Sequence, residues 1–243
     1  MVKTTGDMAD PFDALVHARA GMAVQSTADR VANVLRDQIA EGLLRCGMQL
    51  PEQQICAALA VSRNTVREAL TQLIGERVLV REAHRGVFVA TPGVETVRDI
   101  YRARRILEPA VLRTVDPTPS ATAALRAAVA EGQRAAAVDD GDGVGSANQH
   151  FHRELVALAG SERLDHQMAL LLAEMRLVFH QVGPSQEFHL PYLADNDAVC
   201  AFLEAGDRLG ASDYLTGYLD RACAALLSAI ADKSSADRSS AEK

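Results

Sequence analysis

The sequence lacks several features, and each absence narrows what the chain can do. No apolar run approaches the roughly 20 residues that span a bilayer, so no membrane role is expected. Met1 to Gly21 carries Asp7, Asp10 and Asp13 without a basic start and an apolar stretch behind it, which is not the pattern of a signal peptide. Cys46, Cys56, Cys200 and Cys223 are scattered and form no C-x-x-C pair. With no export pattern, reduced thiols and a cytoplasmic location are expected. An excess of basic charge is also missing: 25 Lys and Arg stand against 32 Asp and Glu, a net charge of −7. Such a chain is a poor non-specific binder of polyanions.

What is present is an ordinary globular composition, 48% apolar and 23% charged, with a mean hydropathy of −0.01. At 243 residues there is length for two domains, each with its own core. The charge divides unevenly between them. Gln25 to Pro92 holds 8 Lys and Arg against 7 Asp and Glu, whereas Gly93 onward holds 15 against 22. Any contact with nucleic acid must therefore rest on a local surface in the N-terminal part.

Residues 1–23 lack sustained periodicity and are expected to form a flexible arm. Ser26 with Asp29 three residues later is a helix start, because the hydroxyl accepts from open N–H groups of the first turn. Val31, Val34, Leu35 and Ile39 then share one face, up to Gly42. A short second helix fits Glu52 to Leu59 behind Pro51. A third begins at Ser62 and lines up Val66, Ala69, Leu70, Leu73 and Ile74 at the spacing of a buried helical face. The period then changes. Val78 to Glu82 and Val87 to Ala90 flank Ala83-His84-Arg85-Gly86, two short strands with a glycine-containing turn. Residues 24–92 are thus expected to form a winged helix-turn-helix of three helices plus a β-hairpin.

From Pro92 to Asp232 no strand pattern stands out. Helical segments are expected near 94–115, 119–138, 144–159, 162–182, 187–205 and 208–231, an all-α antiparallel bundle covering 93–232. The fold class is therefore mainly α. The stretch around 168–179 is apolar nearly all round, as a central, surrounded helix requires. Residues 233–243 read as a disordered tail.

In a helix-turn-helix the third helix enters the major groove with its N-terminal residues nearest the bases. Here that end reads Ser62-Arg63-Asn64-Thr65-Val66-Arg67-Glu68. Arginine can bond guanine O6 and N7 together, and asparagine can pair with adenine, so Arg63, Asn64 and Arg67 are candidate base readers. Ser62 and Thr65 suit phosphate. His84 and Arg85 sit at the wing tip, in reach of phosphate or minor groove. The plainer alternative is that Arg63 and Arg67 are surface arginines paired with Glu68 or Glu52.

The run from Leu50 through Ile55, Leu59, Val61, Ser62, Arg63, Val66, Arg67, Glu68, Ala69 and Leu70 resembles the GntR family of bacterial regulators. Arg104-Arg105-Ile106-Leu107-Glu108 with a helical remainder resembles its FadR-type branch, which carries a ligand-binding, dimer-forming domain called FCD. The resemblance covers about 24–232. Asn64-Thr65 stands where Thr-Pro is usual, and Arg45-Cys46-Gly47 replaces Pro-Gly. It implies a homodimer on a palindromic double-stranded operator, repressing transcription, with affinity set by a small effector.

Helical projection adds inward-facing polar groups. Arg104 falls within an apolar stripe of Val97, Ile100, Leu107 and Val111, where a guanidinium must find acceptors because it cannot shed its charge. Glu108, one turn on, is one such acceptor. Asn148 and His152 share a face with Phe151 and Leu155, Asn196 sits among Leu193, Val199, Cys200 and Leu203, and Tyr218 lies among alanines and Leu215. Arg176 and His180 share a stripe of the central helix. These groups in an apolar bundle mark a candidate effector pocket, with Arg104, Asn148, His152, Arg176, Asn196 and Tyr218 lining it. Arg104, Arg176 and His152 favour an organic acid.

The resemblance also implies a divalent metal held by an Asp-x-x-x-His pair and two later histidines. Asn148 and His152 align with the pair, Asn196 with the third ligand and Tyr218 with the fourth, so three of the four are lost. No metal cofactor is expected, although His180 or His189 could rebuild the site. Catalysis by His150-Phe-His152 is not expected, since on a helix the two rings point about 160° apart. Asp139-Asp140-Gly141-Asp142 lacks the downstream Glu of a calcium loop and reads as a solvated linker. A constitutive DNA-binding dimer with no effector is the competing reading.

Overall fold

The structure, a computed structural model, describes residues 26–40, 43–116, 118–182 and 186–241. The arm expected at 1–23 lies outside the described residues. Helix α1 (Thr27–Ala40) opens as the sequence predicts. The Ser26 hydroxyl accepts from the Asp29 amide at 3.0 Å, and the Asp29 carboxylate accepts from the Ser26 amide at 2.9 Å. Helix α2 (Glu52–Leu59) ends in Ala60 at φ 52°, and that left-handed residue turns the chain into α3 (Arg63–Gly75).

Strands β1 (Leu79–Glu82) and β2 (Gly86–Val89) pair antiparallel, Leu79 opposite Val89 and Glu82 opposite Gly86. Gly86 has φ 112°, a conformation in which a Cβ would be strained, and the Gln49 side-chain amide donates to the Arg85 carbonyl at 2.7 Å beside it. Val31, Leu35, Ile39, Leu50, Val66, Leu70, Leu73, Val87 and Val89 form one core. Burying a Leu70-sized side chain stabilises by about 1.5–3 kcal/mol.

Six helices follow: α4 (Val94–Thr114), α5 (Pro119–Ala137), α6 (Gly141–Ala157), α7 (Glu162–Val182), α8 (Gln186–Glu204) and α9 (Arg208–Ala241). Two bounds differ from expectation by three residues or more. Helix α6 starts three residues early, because the Asp140 carboxylate accepts from the Gly143 amide at 2.8 Å and caps it. Helix α9 runs on to Ala241 through the stretch expected to be a disordered tail. A helix already nucleated gains a hydrogen bond for each residue added, so a polar continuation is cheap.

Helix α7 is central: Met168, Leu172, Met175, Val178 and Phe179 are buried in the core of the helical domain. It also reaches the other domain. Leu177, 1% exposed, belongs to the core of the winged helix. The Cys46 thiol lies 3.6 Å from the Leu177 carbonyl, and the Gln181 side-chain amide donates to the Pro92 carbonyl at 3.2 Å. Among the described residues no helix is long and apolar enough to cross a membrane.

Candidate functional site

Two surfaces carry polar chemistry. The first is the N-terminus of α3. Ser62 caps it by accepting from the Thr65 amide at 3.2 Å, and the two hydroxyls lie 2.9 Å apart. Val66, Ala69, Leu70 and Leu73 bury one face, which leaves Arg63, Asn64 and Arg67 exposed on the other. Arg67 donates from Nε to Glu52 at 2.9 Å, so in the DNA-free chain the plainer alternative describes that side chain. Its side chain stays 60% exposed, and an exposed pair of this kind is worth about 0–1 kcal/mol, little to give up for a base. At the wing, His84 turns through φ 61° and is exposed, while Arg85 pairs with Glu82 and lies 5.2 Å from the centre of the Phe88 ring.

The second surface is internal. Arg104 Nε donates to Glu108 Oε1 at 2.6 Å, and Glu108 Oε2 lies 2.6 Å from His152 Nδ1. His152 Nε2 is 3.0 Å from the Tyr218 hydroxyl, which donates to Asn148 Oδ1 at 3.1 Å, and Asn196 Nδ2 donates to the same oxygen at 2.8 Å. One chain of hydrogen bonds thus joins α4, α6, α8 and α9. All six residues are buried, Glu108 and His152 completely.

Burial pushes the Glu108 carboxyl up, but Arg104 and His152 outweigh it and hold the group below its usual range, as a carboxylate. Burial, aided by Arg104, lowers His152 despite Glu108, so the imidazole is neutral and its Nδ1–H donates a hydrogen bond to Glu108. The Tyr218 hydroxyl then has one proton facing two acceptors, His152 Nε2 and Asn148 Oδ1. Within this network two buried atoms lack a hydrogen bond among the described residues: Arg104 Nη2, a donor, and Asn196 Oδ1, an acceptor.

Of the six expected pocket residues, five fall in this chain. Arg176 stands apart. A Cβ built on Gly145 would lie 3.4 Å from Arg176 Nη1 and 3.3 Å from His189 Nε2, so guanidinium and imidazole approach α6 together where it has no side chain. Burial lowers the affinity of Arg176 for its proton, with Asp142 at 3.9 Å. Burial first, then Arg176, takes His189 down to about 4. His189 also meets Phe179 edge-on at 5.0 Å. Among the described residues no three His, Cys, Asp or Glu side chains gather as a metal-holding group. His150 faces the other way and binds Glu131 at 2.9 Å, so it shares no site with His152.

Sequence reasoning placed Glu108 as a neighbour of Arg104 and missed its second role, the link to His152. Spacing along α4 shows the first, but nothing in it reveals which later helix supplies the second.

A winged helix with a capped, exposed recognition helix, joined to a helical bundle with a polar interior, defines a DNA-binding transcriptional regulator rather than an enzyme. The family model for bacterial regulatory proteins of the gntR family matches residues 27–89, and that for the FCD domain matches 99–221. The solved structure of a GntR transcriptional regulator from Rhodococcus sp. RHA1 is 41% identical, covering 83% of this chain and 97% of that one with a TM-score of 0.78. The HTH-type transcriptional regulator BphR of Paraburkholderia xenovorans is 28% identical over 73% of this chain and 78% of its own length. The gluconate operon transcriptional repressor of Bacillus subtilis is 38% identical over 42% of this chain and 41% of its own. The chain belongs to the GntR family, and its helical part is an FCD domain.

Proposed function

We propose that the chain binds a palindromic operator as a homodimer, represses from it, and releases it when a small organic acid enters the helical domain. In this reading 24–92 is the DNA-binding unit and 93–232 the effector-binding and dimerising unit. Ser62, Arg63, Asn64, Thr65 and Arg67 face the major groove, with His84 and Arg85 following the backbone. One winged helix covers a half-site, so a two-fold dimer reads an inverted repeat.

The observation that carries the effector reading is the incompletely matched network. A carboxylate oxygen supplies the acceptor that Arg104 Nη2 lacks, and a hydroxyl on the same ligand supplies the donor that Asn196 Oδ1 lacks. Glu108 offsets the charge of Arg104 and Asp142 stands 3.9 Å from Arg176, so an acid would be held by charge-assisted hydrogen bonds rather than by a net positive charge. Effector and operator are coupled through α7. Arg176 meets α6, the helix that carries Asn148 and His152, while its neighbour Leu177 is seated in the DNA-binding core, so a shift of one moves the other.

The residues present do not fit the family's divalent metal. Both ring nitrogens of His152 are engaged, and Asn148, Asn196 and Tyr218 offer neutral groups bound to one another. Treatment with a chelator is therefore expected to leave the melting temperature unchanged.

The test is fluorescence anisotropy on the palindrome upstream of the chain's own gene, titrated with a panel of hydroxy acids and dicarboxylates. At least one is expected to weaken DNA binding, and Arg104→Ala and Arg176→Gln to remove that response. A panel with no effect, together with tight binding, would favour the constitutive dimer. That second reading draws on the same network, since most of its groups already satisfy one another.

A further inference from the structure

We infer that Gln49 is a positioning residue for DNA binding: from outside the hairpin it holds the wing tip at which His84 and Arg85 meet the operator. The inference rests on the reading of those two residues as DNA contacts, and it adds one that acts through them.

The wing is wider than its two strands. Residues 47–50, ahead of α2, run antiparallel to β2 as a third edge, with Gln49 opposite Phe88. The Gly47 amide donates to the Val89 carbonyl at 2.9 Å, the Val89 amide to the Met48 carbonyl at 2.9 Å, and the Leu50 amide to the Val87 carbonyl at 2.8 Å. Successive side chains of an extended segment point to opposite faces, so Leu50 is buried in the core while Gln49 stays at the surface. The segment is held at its start as well, where the Cys46 thiol meets the Leu177 carbonyl of α7. Gln49 is therefore mounted on backbone tied to the base of the hairpin and to α7.

The tip needs such a support. His84 has φ 61° and Gly86 φ 112°, so Arg85 stands between two residues of positive φ, and His84 adopts that conformation at a cost. The pairing of β1 with β2 ends at Glu82 and Gly86, and the Arg85 amide closes the turn on the Glu82 carbonyl at 3.2 Å. The Arg85 carbonyl accepts from the Gln49 side-chain amide at 2.7 Å. Gly86 leaves room for that bond, since a Cβ there would lie 3.2 Å from Gln49 Nε2. The Arg85 side chain folds back on Glu82 and the Phe88 ring. Those contacts are given up when the guanidinium turns to a phosphate, whereas the bond from Gln49 grips the main chain and survives the turn.

The test is operator anisotropy with Gln49→Met, which keeps the length of the side chain and removes its donor, in the full chain and in a His84→Ala, Arg85→Ala background. In the parent, Gln49→Met is expected to weaken operator binding roughly two- to tenfold, the worth of one neutral hydrogen bond. Its melting temperature is expected to stay within about a degree, because the side chain is exposed. In the double-alanine background the same change is expected to cost nothing further, since the residues it positions are gone. Parent affinity in Gln49→Met overturns the inference. An equal loss in both backgrounds does so too, because Gln49 then meets the DNA itself. If the double-alanine chain binds as the parent does, the wing reading fails and the inference falls with it; a weakened double-alanine chain beside an unaffected Gln49→Met removes the inference alone.

Discussion

Removing the Glu108 carboxylate leaves a guanidinium buried without its counter-charge and an imidazole without its acceptor. Glu108→Gln is therefore expected to cost about 3–5 kcal/mol in chemical denaturation, the range for breaking a buried ion pair from one side. The double variant Arg104→Met with Glu108→Gln is expected to recover a good part of that loss, because no charge then remains inside. A loss below about 1 kcal/mol for the single variant would show the network to be wet rather than buried. Arg63 is the opposite case. It is exposed and its removal leaves no cavity, so Arg63→Ala is expected to leave the melting temperature within a degree or so while weakening operator binding by about 1–3 kcal/mol. Anisotropy beside a thermal scan separates the two effects.

At the scale of elements, the helices and the hairpin were legible because their signals are local. The apolar spacing of α3, the Ser26–Asp29 start of α1 and the glycine turn before β2 each sit within a few residues of the structure they specify. The inward polar groups were legible for the same reason, since one helix projection shows which face a residue shares. Which groups meet is a matter of helix packing, and there the sequence is silent. It could not say that Glu108 would bind His152 from α6, or that Arg176 would turn to Gly145 and His189 instead. Leu177 was the least legible of all, one apolar residue on a helix apolar nearly all round, with no mark to assign it to the other domain. Leu177→Ala is expected to cost about 2–5 kcal/mol and to fall on the joint between domains. Calorimetry is then expected to resolve two transitions in the variant and one in the parent, and a single cooperative transition in the variant would contradict the joint.

For the whole molecule, charge governs both stability and binding. His152 and His189 have proton affinities lowered by burial, His189 to about 4. A lowered histidine contributes stability that is fully present above the unfolded value of about 6.5 and is lost as pH falls from there toward the folded value. Glu174, raised, acts in the opposite sense, and its protonation relieves part of the loss. The melting temperature is therefore expected to drop between pH 7 and pH 5, and His189→Gln to flatten that slope. Operator binding, from a chain of net charge −7, is expected to rest on few phosphate contacts. Its logarithm should fall linearly with the logarithm of salt, and Arg85→Ala should reduce the slope by about one per protomer. The seating of Leu177 bears, finally, on how such regulators can be recombined. A DNA-reading head cut at Pro92 leaves behind a piece of its own interior, so a transplanted head must meet a residue that fits the same socket. Chimeras that match position 177 to the incoming head should fold as one unit, and mismatched ones should carry a hole at the seam.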